Sequence, residues 1–280
     1  MNRIDSAFQQ IKERGEKALI AYLMAGDPNL QTTEALAIAC EAGGADILEL
    51  GIPFSDPMAD GPEIRQAAER ALRSETRPRD VLELAARLRE QTPMPVILTT
   101  YANPVLAMGI SRFAADSAAS GVDGMILPDV SLEASGEFRE AFDREGVDHI
   151  QLVVPSLPVG RAAEIGRASR GFLYVVAWQG TTGVRSDVPE DLASRIRSLR
   201  GVTHLPLCVG FGVSRREQVR AVVAAGADGV VVGSALVRLA AKDGHPARVE
   251  KFVGQLATGL AHGTDAAPDP NPGKDPRRYR

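Results

Sequence analysis

Glu49 sits inside the apolar run Ile47-Leu48-Glu49-Leu50-Gly51. The Pro/Asp/Gly-rich segment 53–62 that follows it delivers a second carboxylate, Asp60. A carboxylate in such a run is costly unless it is paired or put to use. Two acids at the end of one strand point to proton-transfer chemistry. In a strand, Ile47, Glu49 and Gly51 share one face. If that face looks into a protein interior, desolvation raises the Glu49 pKa towards neutrality, which suits a proton shuttle. The competing reading is a structural glutamate paired with a buried Lys or Arg, although no apolar run carries an obvious basic partner. Asp60 precedes Gly61-Pro62 and a helical pattern, so a helix N-cap fits it as well as a catalytic role does.

Three glycine-rich stretches suggest an anion site: Gly180-Thr181-Thr182-Gly183, Gly210-Phe211-Gly212-Val213-Ser214 and Gly233-Ser234-Ala235. Glycine lets backbone N–H groups come close to an anion, and a helix N-terminus adds partial positive charge. The alternative is that these glycines only permit tight turns. Other chemistries find no footing. Cys40 and Cys208 lie in apolar surroundings without metal-ligand spacing and read as buried free thiols of a reducing cytoplasm. His149, His204, His245 and His262 fall outside the motifs and read as surface or structural residues. No Ser/His/Asp or Cys/His constellation and no metal site emerges. A net charge of −4 argues against a nucleic-acid partner. No apolar run approaches the ~20 residues of a membrane span, and the charged, amphipathic N-terminus is not a signal peptide.

The elements that must position these residues alternate along the chain. Strand patterns fall at 18–24, 45–52, 95–101, 124–129, 149–155, 172–178, 206–212 and 229–235. Helical patterns fall at about 31–43, 62–73, 80–91, 109–121, 132–145, 159–169, 189–200 and 214–225, with a last helix from about 235. Eight β-then-α units predict a single α/β domain, a (β/α)8 barrel over residues 1–262. A Gly-Ala-Asp or Gly-Val-Asp triplet opens four of the strands, at Gly44, Gly121, Gly146 and Gly226, where a left-handed glycine would end the preceding helix. An extra N-terminal helix with Ile4, Phe8 and Ile11 on one face is expected to cover the barrel floor. Residues 263–280, rich in Pro, Asp and Gly, read as a disordered tail. Active sites of this fold lie at the C-terminal ends of the strands, which selects Glu49, Asp60, Tyr101, Asp129 and Tyr174. Phosphate is often held there by the seventh and eighth loops.

The segment Leu48–Pro62, LELGIPFSDPMADGP, resembles the signature of the α subunits of tryptophan synthase. AGDPN at 25–29, YANPV at 101–105, GVDGMILPD at 121–129, GFGVS at 210–214 and GSALV at 233–237 also match in order, so the resemblance covers roughly residues 5–260. It implies a barrel that cleaves indole-3-glycerol phosphate to indole and glyceraldehyde 3-phosphate by a retro-aldol reaction, in tryptophan biosynthesis. It implies no cofactor of its own, and docking on a pyridoxal-phosphate-dependent β subunit in an α2β2 heterotetramer. By the same resemblance Glu49, Asp60 and Tyr174 are catalytic. Tyr22, Leu152, Phe211 and Val231 line the indole pocket. Gly183, Gly212, Gly233 and Ser234 cradle the phosphate.

The chain departs from the family pattern at several places. Tyr22 stands where phenylalanine is usual and Met24 where threonine is. Thr99 occupies an apolar position. Glu63 and Arg65 replace a small residue and a glutamine, and Ala177-Trp178-Gln179 precedes the sixth loop. Two alternatives accompany the reading. One is a stand-alone lyase. The other is a weakly active barrel that acts mainly as allosteric partner of a β subunit.

Overall fold

The Gly-x-Asp triplets do two jobs in the fold. Gly44, Gly121, Gly146 and Gly226 have φ of 94°, 74°, 73° and 97°, the left-handed turn that releases the chain from a helix into a strand. Three of the aspartates then reach sideways to the preceding strand. Asp46 accepts the Leu19 N–H, Asp123 the Val96 N–H and Asp228 the Leu207 N–H, each at 2.9 Å. These three triplets therefore each end one helix and latch two neighbouring strands.

The computed structural model describes residues 2–177, 188–210 and 212–260. Eight parallel strands close a barrel in sequence order: β1 (Ala18–Met24), β2 (Ile47–Gly51), β3 (Val96–Thr99), β4 (Gly124–Ile126), β5 (Asp148–Val153), β6 (Leu173–Val176), β7 (Leu207–Gly210) and β8 (Gly229–Val232). Around them lie α1 (Arg3–Glu13), α2 (Leu30–Ala42), α3 (Pro62–Arg73), α4 (Pro78–Arg89), α5 (Ala102–Met108), α6 (Ile110–Ala119), α7 (Gly136–Glu145), α8 (Val159–Ala168), α9 (Leu192–Arg200), α10 (Arg216–Ala224), α11 (Ser234–Asp243) and α12 (Pro246–Ala257). The expected barrel and its extra N-terminal helix are both present.

Two helices differ from the sequence reading. The pattern placed nothing between 101 and 109, where α5 forms. Pro104 lies within its first turn, where a missing N–H costs little. Its N-terminal cap comes from far along the chain: both Asp129 carboxylate oxygens accept the Ala102 N–H, at 3.0 and 3.1 Å. Asp129, selected by its position at a strand end, is thus a helix cap. The single closing helix is two, α11 and α12, because Gly244 turns left-handed and Pro246 starts afresh.

The core has two main layers. Leucines and valines fill the space between sheet and helices. A ring of Ile20, Ile47, Ile97, Ile126, Ile150, Phe172, Cys208 and Val231 fills the lumen, and fully buried Ile4 of α1 plugs it from below. Membership of Ile47 in that ring settles the face of β2: Glu49, two residues on, also points inward. Among the described residues, no helix is long and apolar enough to cross a membrane.

Candidate active site

Glu49 lies on the wall of a cavity of about 640 Å³ at the C-terminal end of the barrel. It is 3% exposed. Thr99, at the end of the neighbouring strand β3, donates its hydroxyl to Glu49 Oε1 at 2.5 Å. Glu49 Oε2 has no hydrogen-bond partner among the described residues. Burial raises the Glu49 pKa, the Thr99 hydrogen bond opposes that, and the charge of Asp60 adds to it; the result is about 7. Among the described residues no basic side chain pairs with Glu49, which leaves the structural ion-pair reading without a partner there.

Asp60 lines the same cavity from the segment that follows β2. The helix-cap reading does not hold: Gly61 is the N-cap of α3, with no side-chain cap bond. Instead the Tyr101 hydroxyl donates to Asp60 Oδ2 at 3.0 Å. Burial raises the Asp60 pKa to about 6, against the pull of the Tyr101 hydrogen bond and the Arg65 charge. The Tyr101 hydroxyl also accepts the Ala59 N–H at 3.1 Å, so it fixes the backbone that carries Asp60.

Tyr22, Leu152, Tyr174 and Val231 line the cavity with the two acids. Burial keeps both phenols neutral, with pKa values well above the ordinary one. Two glycines make room for them. A Cβ on Gly51 would lie 2.2 Å from the Tyr22 hydroxyl, and one on Gly210 would lie 2.4 Å from the Tyr174 hydroxyl. Gly210, grouped by sequence with an anion loop, therefore clears space for a tyrosine ring.

Gly212, Gly233 and Ser234 lie on the rim of this cavity. Gly212 has a φ of 81°. Gly233 is the N-cap of α11 and buried Ser234 opens that helix, whose N–H groups offer partial positive charge. The arrangement suits a ligand with an apolar ring near the carboxyls and an anionic end at the rim. Gly183 and Phe211 lie outside the described residues, as do Trp178 and the segment 263–280. Among the described residues, no group of His, Cys, Asp or Glu side chains could hold a metal ion. Cys40 and Cys208 are buried free thiols. His149 is structural: it is 1% exposed, packs on Phe142, and burial depresses its pKa to about 4.

The family model of the tryptophan synthase alpha chain matches residues 8–262. This chain belongs to that family. It is 47% identical to the tryptophan synthase alpha chain of Citrifermentans bemidjiense over 267 residues, 94% of this chain and all of the relative. A solved Aquifex aeolicus structure superposes with a TM-score of 0.87 at 38% identity, covering 93% of this chain and 99% of that one. Mycobacterium tuberculosis tryptophan synthase gives 0.87 at 36% identity, covering 94% and 99%. Within this tryptophan synthase alpha chain member, Thr99 and Tyr101 are the site residues whose roles sequence reasoning missed. Thr99 stood out only as a polar residue at an apolar position, and Tyr101 only by its place after a strand.

Proposed function

We propose that this alpha chain cleaves indole-3-glycerol phosphate to indole and glyceraldehyde 3-phosphate at the cavity built on Glu49 and Asp60. The observation that carries the reading is the union of three features in one cavity: a buried carboxyl with one unpartnered oxygen, a second carboxylate, and a glycine-lined helix N-terminus. The bicyclic ring would rest against Tyr22, Leu152 and Val231, with Phe211 completing the pocket. The phosphate would sit at Gly212, Gly233 and Ser234, with Gly183 as a further contact. Tyr174 would bound the substrate beside Glu49.

The chemistry follows from protonation states. Glu49, protonated, gives its proton to indole carbon 3; the carboxyl O–H bond breaks and the C–H bond forms. The ring becomes an iminium, and ionised Asp60 stabilises the charge at the indole nitrogen. The Glu49 carboxylate then takes the proton of the adjacent side-chain hydroxyl. That O–H pair becomes the aldehyde C=O, and the C–C bond pair returns to the ring and restores aromaticity. Glu49 ends protonated, as it began, and one carboxyl serves as both acid and base.

A pyridoxal-phosphate-dependent β subunit is the proposed partner. Exposed Met58 and Leu106, at 77% and 53%, stand on the segment before Asp60 and on α5, on the side of the barrel where the cavity opens. Apolar side chains so exposed suit a protein contact. The test is indole release from indole-3-glycerol phosphate, with and without a β subunit. Release that rises when the β subunit is added, and is abolished by Glu49→Gln, is the expected result. Equal rates in both arms would favour the stand-alone lyase. No release in either arm would favour a barrel that acts only as a partner.

A further inference from the structure

Glu49 has two oxygens in different surroundings, and a residue that departs from the family pattern creates the difference. Register pairs Glu49 of β2 with Ile97 of β3, so Thr99 lies one side-chain period further towards the mouth of the barrel. From there its hydroxyl reaches Glu49 Oε1, and Oε2 is buried with no partner among the described residues. A hydroxyl that donates to one oxygen favours the tautomer with the proton on the other.

We propose that Thr99 is a positioning residue: its hydroxyl holds the Glu49 carboxyl inward by Oε1 and reserves Oε2 as the oxygen that carries the proton. The inference rests on the lyase reading of the cavity and adds to it which oxygen works and what selects it. Other groups facing Glu49 cannot do the same job. Tyr22 from β1 and Tyr174 from β6 are neutral phenols beside it that donate no hydrogen bond to either oxygen, and the phenol of Tyr101 is engaged by Asp60. Asp60, with Arg65 near it, acts on Glu49 only through its charge. Without the Thr99 hydroxyl, the carboxylate form would lose the one hydrogen bond that the described residues give it, and the group would hold its proton to higher pH.

The experiment compares Thr99→Val, which keeps the shape, and Thr99→Ser, which keeps the hydroxyl, in the full chain. Two measurements are made. The first is the titration of Glu49 in ligand-free protein, by carbon-13 NMR of labelled glutamate carboxyls, with the signal assigned by its absence in Glu49→Gln. The second is kcat and KM for indole release. Thr99→Val is expected to raise the titration midpoint by about one pH unit, as loss of a hydrogen bond to a charged group implies. It should lower kcat about tenfold with KM within about twofold, and extend activity to higher pH. Thr99→Ser should restore both. A midpoint unmoved in Thr99→Val, or a kcat loss that Thr99→Ser does not rescue, overturns the proposal. Should the wild type release no indole, the lyase reading fails on its own, while the titration still decides whether Thr99 governs Glu49.

Discussion

The Tyr101 hydroxyl donates to Asp60 at 3.0 Å, and two residues earlier Thr99 donates to Glu49 at 2.5 Å. Thr99 lines the cavity, and Tyr101, two residues on, reaches the Asp60 carboxylate that lines it too. The acids come from β2 and the segment after it, and their hydroxyl partners come from β3 and its end. Among the described residues each carboxyl thus meets one neutral side-chain donor and no cation in direct contact. That leaves both pKa values raised by burial and close to neutrality.

Tyr101→Phe removes the only hydrogen bond between a side chain and the Asp60 carboxylate that the described residues provide. That bond holds the Asp60 pKa down against burial, so the variant should retain the Asp60 proton to higher pH. The acid limb of the kcat/KM profile should move upward. A hydrogen bond to a charged group contributes about 1.5–3 kcal/mol, so kcat/KM should fall roughly ten- to hundredfold. Steady-state indole release across pH measures both. A variant with the wild-type profile would assign Tyr101 to packing against Phe54 alone.

The same two values predict the wild-type profile. The proposed mechanism requires Asp60 ionised and Glu49 protonated. With Asp60 near 6 and Glu49 near 7, kcat/KM should trace a narrow bell that peaks between them. The two acids feel one another, so the limbs belong to the pair. The alkaline limb is the diagnostic one, because a substrate phosphate itself titrates at about pH 6. Activity that stays level well above pH 8 would exclude Glu49 as the proton donor.

The barrel was legible because its signals are local. Alternating apolar strands, amphipathic helices and left-handed glycines at Gly44, Gly121, Gly146 and Gly226 each act within a few residues. Glu49 was legible because a charge in a buried strand is anomalous by itself. The helix α5 was not, because its cap, Asp129, lies in another loop. Asp60 could not be separated from a helix cap until Tyr101 was seen to engage it. The role of Thr99 depends on a register between two strands and a partner fifty residues away. Nothing local to Thr99 encodes that pairing.

Glu49 should also weaken the fold at the pH where it works. Its pKa rises from 4.5 in the open chain to about 7 when folded, so the folded state binds this proton more tightly than the unfolded one. The stabilisation is fully present below about pH 4.5 and is lost as pH rises through about 7. A shift of this size corresponds to about 3 kcal/mol. Asp60 titrates in the same sense, whereas His149, depressed to about 4, costs stability as pH falls below about 6.5. Glu49→Gln cancels only the first contribution. Urea denaturation at pH 5 and pH 8.5 should therefore show the variant gaining about 2–3 kcal/mol on the wild type between the two conditions. A pH-independent difference would mean that Glu49 is not buried in its charged form.

Gly51 tests whether the tyrosine in the ring pocket is fixed by the backbone beside it. A Cβ there would lie 2.2 Å from the Tyr22 hydroxyl and 2.8 Å from the ring carbon that bears it, so the ring must move or β2 must shift. Overpacking of this kind costs about 1–3 kcal/mol. Because Glu49 lies two residues earlier on the same face, a shift of β2 also moves the carboxyl. Gly51→Ala should lower Tm and raise KM for indole-3-glycerol phosphate. Adding Tyr22→Phe removes the atom in closest conflict, so the double variant should recover part of both losses, which a double-mutant cycle quantifies. Additive effects of the two changes would show that the clash is relieved elsewhere and that Tyr22 is free to leave the pocket wall.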